Sequence, residues 1–259
     1  IEDVVRTVKK LAPQKPFAKK PTVFPPATSD LMTFPSEQVG FRVESDTVAK
    51  TWLRILNLIN HYGRVEKTRY ASNNQLKEIL NLTAVITDED PENEYFPHYL
   101  PFSLAELKAY YPEITTARRI PGTAYNYGAR LRNMDGLNQI EEIKKLLKRR
   151  PFSKKLAAFT YNIKEDFEKL DESDTPCLTS VYGRVEDGKF ILTAHFRSQD
   201  MFHGWPRNAF ALRKLQKEIA DYGGCPMGQL CLITHSAHMY ADDWKLSQEL
   251  VAQNWWSEF

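Results

Sequence analysis

Cys177 follows Pro176 and leads through Leu178-Thr179-Ser180 into a predicted β-hairpin; Arg197-Ser198-Gln199-Asp200 comes twenty residues later. Gly204-Trp205-Pro206-Arg207-Asn208 follows at once, and His238-Met239-Tyr240 comes further on. A thiolate is the reactive form of cysteine, and a neighbouring arginine favours it. Its attack on an electron-poor ring carbon, such as C6 of a uracil, makes a transient covalent adduct and pushes charge onto the ring oxygen. An amide side chain can hydrogen-bond that ring edge, a phosphate needs cationic or hydroxyl donors, and Tyr and His can grip a sugar hydroxyl. The combination therefore points to nucleophilic attack on an anionic heterocycle. Each residue alone also has a plainer role: Cys177 as a small buried hydrophobe, Arg197 in a surface ion pair, Asn208 as a helix N-cap.

These residues need a scaffold, and the hydrophobic periodicity predicts one. Asp46 can cap a helix carrying Val48, Trp52, Ile55, Leu56 and Ile59, closing at Gly63. Leu80 to Ile86 reads as a strand, and residues 87 to 101 as an irregular acidic loop. Ser103 caps a short helix holding Glu106 and Leu107, and Asp135 can cap an amphipathic helix through Ile140, Ile143, Leu146 and Leu147. That helix ends in Lys148-Arg149-Arg150, which suits its dipole. Leu156 to Tyr161 is strand-like. Leu178 to Val185 and Phe190 to Phe196 form a hairpin around Glu186-Asp187-Gly188. A helix from about Arg207 to Tyr222, a strand from Gln229 to Thr234 and a helix from Asp242 to Val251 complete the pattern. Without regular βαβ alternation, the expected class is α+β: a mixed, mainly antiparallel sheet with helices on one face. Residues 1–40, with prolines and lysines interspersed from Pro13 to Pro35, read as an extended arm or linker ahead of a catalytic domain over 41–259.

The 259 residues suffice for a proper core, and 42% hydrophobic with 26% charged content is ordinary for a globular protein. A net charge of +2, from 35 basic and 33 acidic residues, argues against a dedicated nucleic-acid binder. No apolar run is long enough to span a membrane. Ile1-Glu2-Asp3 is no signal peptide and suggests a processed or excised chain. Three cysteines fit a reducing, cytoplasmic setting. Cys225 and Cys231 lack zinc-ligand spacing and read as buried structural thiols; no metal is expected.

The motifs Pro176-Cys177, Arg197-Ser198-x-Asp200, Gly204-x-Pro206-x-Asn208 and His238-x-Tyr240, at these intervals, resemble thymidylate synthase and the related pyrimidine nucleotide hydroxymethylases. Tyr127-Gly128 resembles the family's Tyr-Gly in the active-site wall, Ser153-Lys154-Lys155-Leu156 sits where the family has Ser-Arg-Arg-hydrophobic, and Arg69 matches an early phosphate-binding arginine. The resemblance covers about 120 to 245 well and extends upstream to 46. It implies that Cys177 is the nucleophile at C6, that Arg197 and Ser198 bind the phosphate, and that Asn208 pairs with the uracil O4/N3 edge. His238 and Tyr240 would contact the deoxyribose 3′-hydroxyl. Asp200 would hold the pyrimidine through its backbone and the pterin through its carboxylate, and Tyr127 would join the water network that removes the C5 proton. Lys154 and Lys155 would reach a neighbouring subunit's phosphate across a sheet-to-sheet homodimer. Glu106 stands as the general-base glutamate, although Ser103-Leu104-Ala105-Glu106 is also a capping box by itself.

The implied reaction moves a one-carbon unit from 5,10-methylenetetrahydrofolate, or a related methylene-pterin, to C5 of a pyrimidine nucleotide 5′-monophosphate, with dUMP to dTMP as the leading reading. A hydroxymethylase acting on dUMP, dCMP or CMP is the alternative, and an inactive nucleotide-binding homologue the second. The chain departs from the common pattern: Leu178 follows the cysteine where histidine is usual, Phe196 replaces a Gln, Arg207 stands where an aromatic is common, and Glu113 to Arg119 lacks the tryptophans expected on the folate side. These departures mark a divergent member resembling archaeal-type sequences. The role of Trp255 and Trp256 stays open between a closing flap and an exposed end.

Overall fold

Asp187 and Gly188 both adopt positive φ, 48° and 73°, as a tight hairpin turn matched to strand twist requires. They join β5 (Leu178–Glu186) to β6 (Lys189–Asp200). The computed structural model describes residues 2–11, 39–119, 123, 125–168, 170 and 175–259. The chain divides into two units, Ile1–Pro35 and Ser36–Phe259. In the first, Glu2–Leu11 forms helix α1, where an extended arm was expected; the rest of that arm up to residue 38 lies outside the described residues.

The second unit is built on one sheet. Its other strands are β1 (Val39–Ser45), β2 (Arg64–Lys67), β3 (Gln75–Ile86), β4 (Ala157–Phe159) and β7 (Met227–Tyr240). The order is β1-β3-β7-β6-β5-β4, with β2 beside β3. β1/β3 and β6/β7 run parallel, while β2/β3, β3/β7, β4/β5 and β5/β6 run antiparallel. The class is thus α+β with a mixed, mostly antiparallel sheet. β2 is polar at three of its four positions, which hid it from a hydrophobic-pattern reading, and β1 alternates only over Val39, Phe41 and Val43.

Helices cover the sheet. α2 (Val48–Tyr62) buries Trp52, Leu53, Ile55, Leu56 and Ile59. Its N-cap is Thr47, whose hydroxyl accepts from the Lys50 backbone N–H; Asp46, the expected cap, instead accepts from Lys50 Nζ at 2.9 Å. α3 (Leu104–Tyr110) and α4 (Pro112–Thr115) lead to α5 (Tyr127–Asn133) and α6 (Gln139–Arg149). α6 is capped by Asn138, since Asp135 has positive φ and belongs to a preceding turn. α7 (Ile163–Glu168) is short; α8 (Gly204–Gly223) buries Trp205, Phe210, Leu212, Leu215 and Ile219, and α9 (Trp244–Glu258) closes the chain.

One irregularity shapes the molecule. The buried set on β6 runs Phe190, Leu192, Ala194, Phe196 and then shifts to Gln199; on β7 it runs Leu230, Leu232, Thr234 and then Ala237 and Met239. On β3, Ile86, Ala84 and Leu82 give way to Ile79. Asn81, Arg197 and His235 sit where the alternation breaks, at one level across the three strands, and the register between strands does not slip. Asn81 takes φ 56° there. A shared break of this kind bends the sheet. Beyond it, Ser198, Asp200, Ser236, His238 and Glu78 fall on the side opposite the core residues of that stretch.

Candidate functional site

Pro176 keeps the residue before it extended and delivers Cys177 to the start of β5. The Cys177 carbonyl accepts from Arg197 N at 2.8 Å, so the thiol residue and the arginine face each other across two strands. Cys177 Sγ lies 3.7 Å from Ser198 Oγ, half-buried. Arg197 donates from Nε to Pro176 O at 3.1 Å, from Nη2 to Thr175 O at 2.8 Å and from Nη1 to Ser198 Oγ at 3.3 Å. The guanidinium is braced by the segment that carries the thiol, and its fork of five donors leaves N–H groups facing solvent for an anion.

Aromatic hydroxyls crowd the thiol. Tyr125 and Tyr127 have ring centroids 5.4 Å apart, and the Tyr125 hydroxyl is in reach of the Cys177 thiol, the Cys177 N–H and the Tyr127 hydroxyl. Burial, with the Cys177 charge second, pushes Tyr125 up to about 12, and burial raises Tyr127 as well. Tyr127 reaches this place because Gly128 follows it: a Cβ on Gly128 would meet Thr116 O at 2.1 Å, so only glycine lets α5 approach the α4 backbone this closely.

Asn208 is nearly buried, 5% exposed, in the second turn of α8. The helix starts at Gly204, so Asn208 is no N-cap. Its Oδ1 accepts from the Tyr110 hydroxyl at 2.5 Å. Tyr110, the last residue of α3, feels the charges of Glu113, Tyr125, Arg207 and Cys177, which places the Asn208–Tyr110 pair beside the thiol. Glu113 accepts from Asn126 Nδ2 at 2.7 Å.

The bent ends of β6 and β7 supply a second polar group. Asp200 pairs in register with His238. Its carboxylate accepts from Phe202 N at 2.9 Å and His203 N at 3.3 Å. Burial raises the Asp200 carboxyl and lowers the His238 imidazole, which favours the neutral ring. Ser236 Oγ lies 3.4 Å from His238 Nδ1 and donates to Glu78 Oε1. His238 and Tyr240 rings sit 5.1 Å apart.

The expected site residues thus separate. Cys177, Arg197, Ser198, Tyr127 and Asn208 gather around the thiol, and Asp200, His238 and Tyr240 line the adjoining strand ends. Arg69 stands in the loop between β2 and β3, which Ser72 ties to Asp242, just past Tyr240; its guanidinium donates to Tyr70 Oη at 2.8 Å. Lys154 and Lys155 are exposed in the turn before β4 and not on a strand, and no contact joins them to the thiol group among the described residues. Glu106 is exposed and closes the capping box, accepting from Ser103 N at 2.7 Å and Ser103 Oγ at 2.8 Å. Both bonds fall on the one oxygen, Oε2. Tyr110, Glu113, Tyr125 and Glu78 were not read from the sequence. Tyr110 had a faint signal, three residues after buried Leu107 and so on the same helical face.

Trp255 and Phe259 pack on Arg54 of α2, whose guanidinium carbon lies 4.0 Å from the Phe259 ring centroid, while Trp256 is 87% exposed. No helix among the described residues is long and apolar enough to cross a membrane.

Residues 111–256 match the family model described as Thymidylate synthase. Among curated proteins, one from Methanosarcina barkeri named "Putative thymidylate synthase" is 32% identical over 215 residues, covering 83% of this chain and 96% of that protein. Proteins of the same name from Methanosarcina mazei (31%, 83% and 96% covered) and Methanopyrus kandleri (30%, 78% and 93% covered) are similar.

Proposed function

The chain belongs to the thymidylate synthase family, and from that premise we infer that it methylates C5 of dUMP to give dTMP, taking the one-carbon unit from methylenetetrahydrofolate or a related methylene-pterin. The observation that carries this reading is the linked set of Cys177, Ser198 and Arg197, with the thiol 3.7 Å from the Ser198 hydroxyl that the guanidinium also contacts. A phosphate on Arg197 and Ser198 would bring a pyrimidine ring over the thiol. Cys177 Sγ then bonds to C6, and the electron pair moves through C5 to O4. Asn208 supports the charge that develops there, as fixed dipoles do in a water-poor site. C5 would bond to the donor's methylene carbon and lose its proton, and the tetrahydropterin would leave that carbon as an exocyclic methylene forms; hydride from the same tetrahydropterin would then add to the methylene as Sγ leaves C6, giving the methyl group and a dihydropterin.

Glu113 is a better candidate than Glu106 for the proton transfers, since its charge acts on Tyr110 beside Asn208 and it holds Asn126, whereas Glu106 is exposed. Neutral His238 and Tyr240 fit the sugar hydroxyl. Asp200, held by two backbone amides, would meet the pterin. Arg69, Lys154 and Lys155 would add positive charge near a phosphate only on loop closure or from a second copy, and a homodimer through the exposed sheet face is part of this reading. The family's paired arginines are lysines here, which keep charge and lose the bidentate fork.

The test is adduct formation with 5-fluoro-dUMP in the presence of methylenetetrahydrofolate, read by intact-protein mass. Wild-type protein gains the nucleotide and donor masses, and Cys177→Ser gains neither. Product mass on dUMP and dCMP then separates methylation from hydroxymethylation. Absence of any wild-type adduct would overturn the covalent mechanism and favour an inactive nucleotide-binding homologue.

A further inference from the structure

We propose that Tyr110 is a positioning residue that fixes which end of the Asn208 amide meets the pyrimidine, and so selects uracil over cytosine; this rests on the nucleotide reading above. An amide has two chemically opposite ends, a carbonyl that accepts and an NH2 that donates. The uracil edge offers an N3–H donor and an O4 acceptor. The cytosine edge offers the reverse, an N3 acceptor and an amino donor. An asparagine free to rotate by half a turn serves either base and discriminates neither. Discrimination needs an outside group that makes one orientation cheaper.

Tyr110 supplies that group. Its hydroxyl donates to Asn208 Oδ1 at 2.5 Å, and Asn208 is only 5% exposed, so water does not compete for the amide. Burial holds the Tyr110 proton well above the ordinary tyrosine range, and the Glu113 and Cys177 charges act in the same direction. The phenol therefore remains an O–H throughout the working pH range. With Oδ1 turned toward Tyr110, the second lone pair of that oxygen accepts N3–H while Nδ2 donates to O4. The flipped amide would aim an N–H at the phenol and oblige its proton to leave the carbonyl it now serves, in a buried setting where an unmade hydrogen bond is costly.

The phenol is itself held in place. The capping box of Ser103 and Glu106 fixes the start of α3, and Leu107, one turn before Tyr110, is fully buried. Tyr111 next in line donates to Glu94 Oε1 at 2.5 Å, and Pro112 starts α4. The chain is thus fixed on both sides of the tyrosine, by Leu107 before it and Tyr111 after it. The usual Gln before the Arg-Ser pair is Phe196 here, so that position offers no amide of its own.

The experiment measures dissociation constants for dUMP and dCMP by calorimetry on wild type, Y110F, N208D and the double variant. Removing the hydroxyl should reduce the dUMP-over-dCMP preference about tenfold, the scale of one buried neutral hydrogen bond. In the N208D background the two carboxylate oxygens are equivalent, so adding Y110F should leave the ratio unchanged. Y110M, which also lacks the hydroxyl and repacks more freely, gives an independent reading should Y110F not fold. A ratio that stays within about twofold of wild type in the hydroxyl-free variants overturns the proposal. So does an equal change in both backgrounds, because a purely structural tyrosine would act that way. Wild-type protein that binds neither nucleotide would instead sink the nucleotide reading itself.

Discussion

Glu89 is 1% exposed and carries a carboxyl that burial pushes up from 4.5 to about 7. It accepts from Val48 N and Tyr95 N, both at 2.7 Å, and so pins the acidic loop to the first turn of α2. Arg213, also buried, donates to the Glu89 backbone oxygen from Nε at 2.9 Å, and its side-chain charge only partly offsets the desolvation. The sign follows from linkage. Below pH 4.5 the carboxyl is protonated in both states. Between there and about 7 the unfolded chain releases this proton while the folded chain keeps it, so stability falls as pH rises. The whole effect is worth about 3 kcal/mol. Glu89→Gln cannot ionise. It sacrifices one acceptor, which costs about 1–3 kcal/mol at every pH, but it removes the slope. Urea unfolding at several pH values from 4.5 to 8 should therefore show wild type losing stability relative to E89Q, until the two curves converge or cross near neutrality. Parallel curves across that range would mean that Glu89 is ionised in the native state and that the two amide bonds outweigh its burial.

Two other substitutions bear on the site. Gly128→Ala places a Cβ 2.1 Å from a backbone oxygen, an overlap expected to cost about 3 kcal/mol or more; the thermal midpoint should fall by roughly 6–12 °C, and an unchanged midpoint would show that α4 and α5 separate freely. Glu113→Gln should collapse turnover of dUMP while Glu106→Gln leaves it within a few-fold of wild type, and the opposite order would return the general-base role to the capping residue.

Where local chemistry decides the backbone, the sequence was readable. Asp187-Gly188 names its own turn, Ser103 and Glu106 name a helix start, and the apolar spacing of Val48 to Ile59 gives α2 to within a residue. The long strands were seen only in part: Leu80–Ile86 of β3 and Gln229–Thr234 of β7 were recognised, while Gln75–Ile79 and His235–Tyr240 were not. The boundary falls at the shared break in each case. Alternation is the signal of a strand, and at Asn81 and His235 the buried set changes parity, so the pattern dissolves where the backbone continues. The elements hardest to read were thus those that leave the core alternation to present polar residues.

The same logic explains which site residues were visible. Cys177, Arg197, Ser198, Asp200 and Asn208 lie in short ordered motifs. Tyr110 lies 98 residues from the Asn208 it contacts, and Glu78 lies 158 from Ser236; nothing local distinguishes either from a surface residue. Both are second partners: Tyr110 orients an amide, and Glu78 takes the Ser236 hydroxyl beside His238. A group that touches a small ligand must be a particular residue type, whereas the group behind it needs only to donate or accept from the right direction, which many types on many elements can do. In this chain Leu178 and Phe196 stand where the family usually has polar residues, and Tyr110 and Tyr125 bring hydroxyls to the Asn208 amide and the Cys177 thiol from α3 and the segment before α5. A hydroxyl arriving from a different element can supply the same donor direction, so motif departures beside a nucleophile are weak grounds for inferring lost chemistry until the polar atoms around it have been counted in three dimensions.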